Sequence, residues 1–89
     1  MDIENLKYFI SVAQLLNFSE AARQNNVTQP KISRSILELE TQLKAKLFFR
    51  TNRDVSLTPE GETFLPYAID LVDMAAKASD MVDQVHSGR

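Results

Sequence analysis

The 89 residues predict a mainly α fold: three helices, a two-stranded β ribbon and one long helix at the carboxy end. Three observations carry that expectation. Apolar residues recur at helical spacing over residues 3–16 and again over 32–43. Two short runs rich in aromatic and β-branched residues, 47–51 and 55–57, flank a polar pair. From Phe64 an apolar repeat alternating four and three continues to Val85.

In the first helix Ile3, Leu6, Phe9, Ile10, Ala13 and Leu16 form the apolar stripe, with Asn5, Lys7, Ser11 and Gln14 between them. Asn17-Phe18-Ser19 breaks the pattern. Ser19 is suited to cap a second helix, and Glu20 places an acid at the positive end of its dipole. That helix runs through Ala21-Ala22, which allow close approach, to about Asn25. Asn25-Asn26 favours a tight turn, because asparagine tolerates the left-handed region, and Val27 returns the chain to the core.

The third helix begins with Thr28 as cap and Pro30 in the first turn, where a missing N–H breaks no intrahelical bond. Ile32, Ile36, Leu39 and Leu43 face inward. Gln29, Pro30, Ser33 and Arg34 cluster on an outward face centred roughly 130° away. Helix, short turn and helix is the arrangement that carries a second helix into the DNA major groove. Gln and Arg pair with two edge atoms of adenine and guanine there, and proline can pack on a thymine methyl. The competing reading is a solvated polar face.

Leu47-Phe48-Phe49-Arg50-Thr51 and Val55-Ser56-Leu57 read as the strands of a wing, with Asn52-Arg53 as a two-residue hairpin turn in which asparagine suits positive φ. Such a ribbon must lean on the helices, leaving Arg53 at its tip. For Arg50 and Arg53 the alternative is a solvated turn or an ion pair with Asp54. Thr58-Pro59-Glu60 starts the last helix: a capping hydroxyl, proline at the first position and an acid against the dipole. Phe64, Ala68, Leu71, Ala75, Ala78, Val82 and Val85 make a heptad seam, widened by Leu65, Ile69, Val72 and Ala76. From residue 59 to 86 this helix spans about 42 Å, longer than the small head needs, so its outer half calls for a partner. Pro66 is expected to bend it. The expected division is a head of residues 1–58 and a dimerising linker helix of 59–89, with Val85-His86-Ser87-Gly88-Arg89 reading as a hinge.

With no cysteine and one histidine, neither a disulfide framework nor a zinc site is expected, and cytosolic residence fits. Lys7 precedes an apolar stretch, but Asp2 and Glu4 spoil a secretory signal, and no run approaches the roughly 20 apolar residues of a membrane span. A net charge of −2 argues against a nucleic-acid binder only if it is evenly spread. Between residues 23 and 53, Arg23, Lys31, Arg34, Lys44, Lys46, Arg50 and Arg53 face only Glu38 and Glu40, leaving +5. From 59 to 89, Lys77 and Arg89 face Glu60, Glu62, Asp70, Asp73, Asp80 and Asp83, leaving −4. The basic head supplies the local field that attracts phosphate.

The chain resembles the amino-terminal DNA-binding region of the LysR-type transcriptional regulators of bacteria. The resemblance rests on Leu6-Lys7-Tyr8-Phe9, Phe18-Ser19-Glu20-Ala21-Ala22, Val27-Thr28-Gln29-Pro30-Lys31-Ile32-Ser33-Arg34, Leu39-Glu40 with Leu43, Leu47-Phe48 with Arg50, and Leu57-Thr58-Pro59-Glu60-Gly61. It implies a winged helix-turn-helix followed by a linker helix that pairs two subunits, each head reading one half of an interrupted palindromic operator in double-stranded DNA. Gln29, Pro30, Ser33 and Arg34 match family positions that meet bases or adjoining phosphates, Thr28 a phosphate contact, Arg50 a basic position near the backbone, and Arg53 the wing residue that enters the minor groove. With Lys31 from the basic head, these form the candidate DNA-binding set. The candidate dimerisation set is Phe64, Ala68, Leu71, Val72, Ala75, Ala78 and Val82. Lys44 stands where the family usually has glycine, a cost on the order of 1 kcal/mol if the backbone is left-handed there. Leu37 falls near the outward face, where a polar residue is commoner. Family members carry a further domain that binds a small-molecule effector; these residues do not encode one, so the chain is expected to be a fragment. No cofactor is implied.

Two functions of different class compete. The first is sequence-specific DNA binding by a homodimer that regulates transcription. The second is a winged-helix protein-interaction module with a coiled-coil tail. The +5 head and the polar Gln29, Ser33, Arg34 and Arg53 favour the first, since protein-docking faces carry exposed aromatic or aliphatic anchors. An enzyme is not expected, because no base-plus-nucleophile set or metal cluster is present in the sequence.

Overall fold

A computed structural model describes residues 1–88; Arg89, the end of the expected hinge, lies outside the described residues. Its elements are α1 (Ile3–Leu15), α2 (Phe18–Gln24), α3 (Gln29–Leu43), β1 (Phe48–Arg50), β2 (Val55–Leu57) and α4 (Pro59–Ser87). The winged helix-turn-helix and long final helix expected from the sequence are present. α1 is capped by Asp2 and ends as Leu16 turns left-handed at φ 52°. That early stop leaves a single extended residue before α2, so Asn17, not Ser19, is its cap: the Asn17 side chain accepts the Glu20 N–H at 2.9 Å. Asn26 takes the left-handed turn at φ 56°, and Val27 donates its N–H to the Ala22 carbonyl at 3.0 Å. Thr28 caps α3 by accepting the Lys31 N–H.

α3 closes on Lys44, left-handed at φ 55°, with the Lys44 N–H donating to Thr41 and the Ala45 N–H to Glu40. This is a Schellman closure with lysine where glycine is unstrained. β1 and β2 pair antiparallel from Phe48↔Leu57 to Arg50↔Val55. Asn52-Arg53 separate the last backbone-bonded residues of the ribbon, since the Thr51 N–H donates to the Asp54 carbonyl at 2.9 Å, but asparagine is not at positive φ. The Thr51 hydroxyl accepts the N–H groups of Arg53 and Asp54 and so sets the turn with Asn52 at negative φ.

The core is an aromatic cluster surrounded by aliphatics. The Phe9 ring centroid lies 5.4 Å from Phe48 and 5.3 Å from Phe64, and Phe18 lies 5.8 Å from Phe48. Leu6, Val12, Ile32, Leu39 and Leu47 fill the space around it and are buried. Polar side chains tie the helices: Ser35 donates to Asn5, Asn5 to Glu38, and Asn25 to Ser11. Thr58, buried at the start of α4, donates to the Lys46 carbonyl at 2.6 Å and accepts the Gly61 N–H at 3.0 Å.

α4 runs unbroken through Pro66 and on to Ser87, so the expected hinge at Val85-His86-Ser87 is helical. Its first half lies on the head. Ala68 is fully buried, Phe64 stacks on Phe9, and Leu65 and Val72 pack against the core. Of the expected seam, Ala68 is therefore covered by its own chain and cannot meet a second one; Phe64 and Val72 are largely engaged in the same way. From Ala76 onward every described residue of α4 is exposed, which accounts for the long 55 Å axis of the molecule.

Two substitutions check this account. A Cβ at Gly61 would meet the Leu47 carbonyl oxygen at 2.2 Å, so Gly61→Ala should lower stability by about 1–3 kcal/mol in urea unfolding. Lys44→Gly should raise it by about 1 kcal/mol by relieving the left-handed backbone.

Candidate nucleic-acid interface

The beginning of α3 sets Gln29, Pro30 and Arg34 on the molecular surface, with Ser33 half-buried behind them. β1 lies alongside, so that Pro30, Ser33, Arg34 and Leu37 of α3 face Phe49 and Arg50 across an open groove. A second concavity, at the end of this groove, brings Gln29 together with Arg50 and Arg53. These residues come from three separate elements.

Several are held in place. The Ser19 hydroxyl donates to the Gln29 side-chain oxygen at 2.9 Å, which orients the amide with its two N–H donors away from α2. The Arg50 guanidinium sits 3.8 Å from the centre of the Phe18 ring, a cation–π contact rather than an ion pair with Asp54. Arg53 is carried by the Thr51 turn. Thr28 accepts the Lys31 N–H with its hydroxyl oxygen, which leaves its O–H able to donate. Lys31 points the other way, toward α1, with its ammonium 3.6 Å from Glu4, so it stands apart from the groove. Beside that pair, burial and then the Glu4 charge hold the Tyr8 phenol above its ordinary pKa, keeping it neutral.

The electrostatics of the head are sorted by these contacts. Arg23 pairs with Glu20 and Lys46 with Glu40, as Lys31 does with Glu4. Among the described residues of the head, Lys7, Arg34, Lys44, Arg50 and Arg53 make no ion pair. Three of those five, the arginines, face the groove and its end, whereas Lys7 lies on α1 beside α4, so uncompensated positive charge gathers where an anionic backbone would run. Sequence reasoning did not foresee Ser19 and Phe18 as supports. Ser19 stands ten residues before its partner, and only the closeness of the turn could have hinted at the contact.

The family described as bacterial regulatory helix-turn-helix protein, lysR family, matches residues 3–62. The chain belongs to the LysR family. It is similar to the transcriptional regulator IlvR of Caulobacter vibrioides, 37% identical over 89 residues that cover all of this chain and 30% of that protein. AlsR of Bacillus subtilis is 48% identical over 65 residues, covering 73% of this chain and 22% of AlsR. The chain thus spans less than a third of either relative. Among solved structures, the BenM_DBD complex with catB site 1 DNA matches with a TM-score of 0.92 at 36% identity, covering 100% of both chains. Full-length CbnR complexed with its target DNA matches at 0.90 and 36% identity, over 94% of this chain and 29% of CbnR. This LysR-family chain is a DNA-binding winged helix-turn-helix, and its family and structural neighbours are regulators rather than enzymes. No helix among its described residues is long and apolar enough to cross a membrane.

Ser19→Ala should release the Gln29 amide. In NMR its side-chain N–H resonances should shift and their order fall, while the unfolding free energy stays within about 0.5 kcal/mol because both residues are exposed.

Proposed function

We propose that this chain, acting as a homodimer in the bacterial cytoplasm, reads an interrupted palindromic operator and so regulates transcription. Residues 1–58 serve as the reading head and 59–89 as the linker that joins two copies. The observation that carries the reading is the convergence of Gln29, Ser33 and Arg34 of α3 with Arg50 and Arg53 of the wing, where the unpaired positive charge collects. Gln29, Pro30, Ser33 and Arg34 contact base edges and adjoining phosphates. Thr28 and Lys31 contact the phosphate backbone on the α1 side, Lys31 by exchanging Glu4 for phosphate. Arg50 lies along the backbone and Arg53 enters the adjacent minor groove, a division in which phosphate contacts fix register and base contacts carry sequence. The DNA complexes of BenM_DBD and CbnR support it through the likeness of the whole fold.

Dimerisation through α4 is supported by what its outer half exposes: Leu71, Met74, Met81, Val82 and Val85 stand in solvent, with Ala75 and Ala78 between them. The partner-facing surface is then Leu71, Ala78 and Val82, which the head leaves exposed, with the half-buried Ala75 between them. A small-molecule effector would act through a further domain of the kind that the greater length of the relatives accommodates.

The direct test is enrichment of this chain's preferred duplexes from a random library at two salt concentrations. A two-fold motif with an unread centre, bound more weakly as salt rises, is the expected outcome. Enrichment of single, non-repeated half-sites would remove the homodimeric reading, and no enrichment at either salt would remove DNA reading itself. Arg34→Ala should weaken operator binding by about 1–3 kcal/mol and relax preference at one base pair of each half-site. The double variant Leu71→Glu, Val82→Glu should sediment as a folded monomer; a dimer at the same concentration would refute the α4 interface.

A further inference from the structure

Measured from the buried Ile32 at 100° per residue, Ser33, Leu37, Pro30, Thr41 and Arg34 lie at roughly 100°, 140°, 160°, 180° and 200° around α3. Leu37 therefore occupies the middle of the outward face, one turn beyond Ser33 and Arg34. It is 54% exposed, and Phe49 on the opposite wall of the groove is 58% exposed, so neither covers the other. The neighbouring Thr41 turns its hydroxyl back to the Leu37 carbonyl at 2.9 Å, which takes it out of competition for a ligand. A single exposed leucine needs no explanation. Its position does: an apolar strip of Pro30, Leu37 and Phe49 lies in the groove between Arg34 and Arg50, continuous with the proposed reading residues.

We propose that Leu37 is a specificity-determining residue that reads the 5-methyl group of a thymine in the major groove. The inference rests on the DNA-reading role given above. Leucine has no donor or acceptor, and thymine alone of the four bases presents a methyl group on its major-groove edge. Over cytosine or guanine the same side chain would cover an amino donor or two acceptors and leave them without partners. Pro30 and Leu37 stand about 10 Å apart along the helix axis, so they meet different base pairs.

The test begins with a duplex enriched by the chain, in which each thymine is replaced singly by deoxyuridine, removing only the methyl group. Binding is read by fluorescence anisotropy for the wild type and for Leu37→Ala, whose fold is checked by circular dichroism. At one thymine in each half-site the replacement should weaken wild-type binding about fourfold, the loss expected for one buried methyl group, and leave Leu37→Ala unchanged. Leu37→Gln should move the preference at that same pair from thymine toward adenine, which glutamine pairs with through two bonds. Identical deoxyuridine profiles for wild type and Leu37→Ala would overturn the proposal. Failure to enrich any duplex would instead overturn the DNA reading on which the proposal stands.

Discussion

The fold depends on the packing of four phenylalanine rings, Phe9, Phe18, Phe48 and Phe64, with Phe9 at the centre of the core. The fully buried Phe9 ring meets Phe48 of the wing on one side and Phe64 of the long helix on another, while Phe18 of α2 closes on Phe48. Each such pair contributes about 0.5–1.5 kcal/mol beyond the area it buries. More important is what the cluster joins. A ribbon with three residues in each strand has no stability alone, and Phe48 gives it an anchor in the helical core. The same cluster reaches the surface, since the Phe18 ring that packs on Phe48 also supports the Arg50 guanidinium. The position of a charge in the groove is thereby tied to the packing of the core.

Around this apolar centre, hydrogen bonds set the register. Packed apolar helices resist separation more strongly than sliding, and polar ties at defined points oppose the sliding. Asn5 links α1 to Ser35 and Glu38 of α3, Asn25 links the end of α2 to Ser11, and Glu40 accepts the Leu47 N–H where the chain leaves α3 for the wing. Thr58 completes the set by joining the Lys46 carbonyl to the first turn of α4. No buried side-chain nitrogen or oxygen among the described residues lacks a partner.

Charge acts at a different scale. The chain is acidic overall, yet its ion pairs neutralise Arg23, Lys31 and Lys46 and leave free the arginines that face the groove. Those pairs are largely exposed and add little to stability. Their consequence is the pattern of what stays uncompensated. The acids of the outer α4 belong to the other end of an elongated molecule, beyond the roughly 10 Å over which charge is felt at moderate salt.

Much of the fold was legible in the sequence because its signals are local. The Thr28 and Thr58 caps, the left-handed Asn26, the inward faces of α1 and α3 and the two strand runs each depend on a few neighbouring residues. The polar face of α3 was legible for the same reason. Two features were decided only by tertiary structure. Ser19 had every local property of a cap, but the position at which α1 stops gave that task to Asn17 and freed the Ser19 hydroxyl for Gln29. The heptad seam of α4 showed that a face must be covered without showing by what: spacing determines which residues share a face, whereas the buried Ala68 and the exposed Val82 differ because the head extends only as far as the middle of the helix.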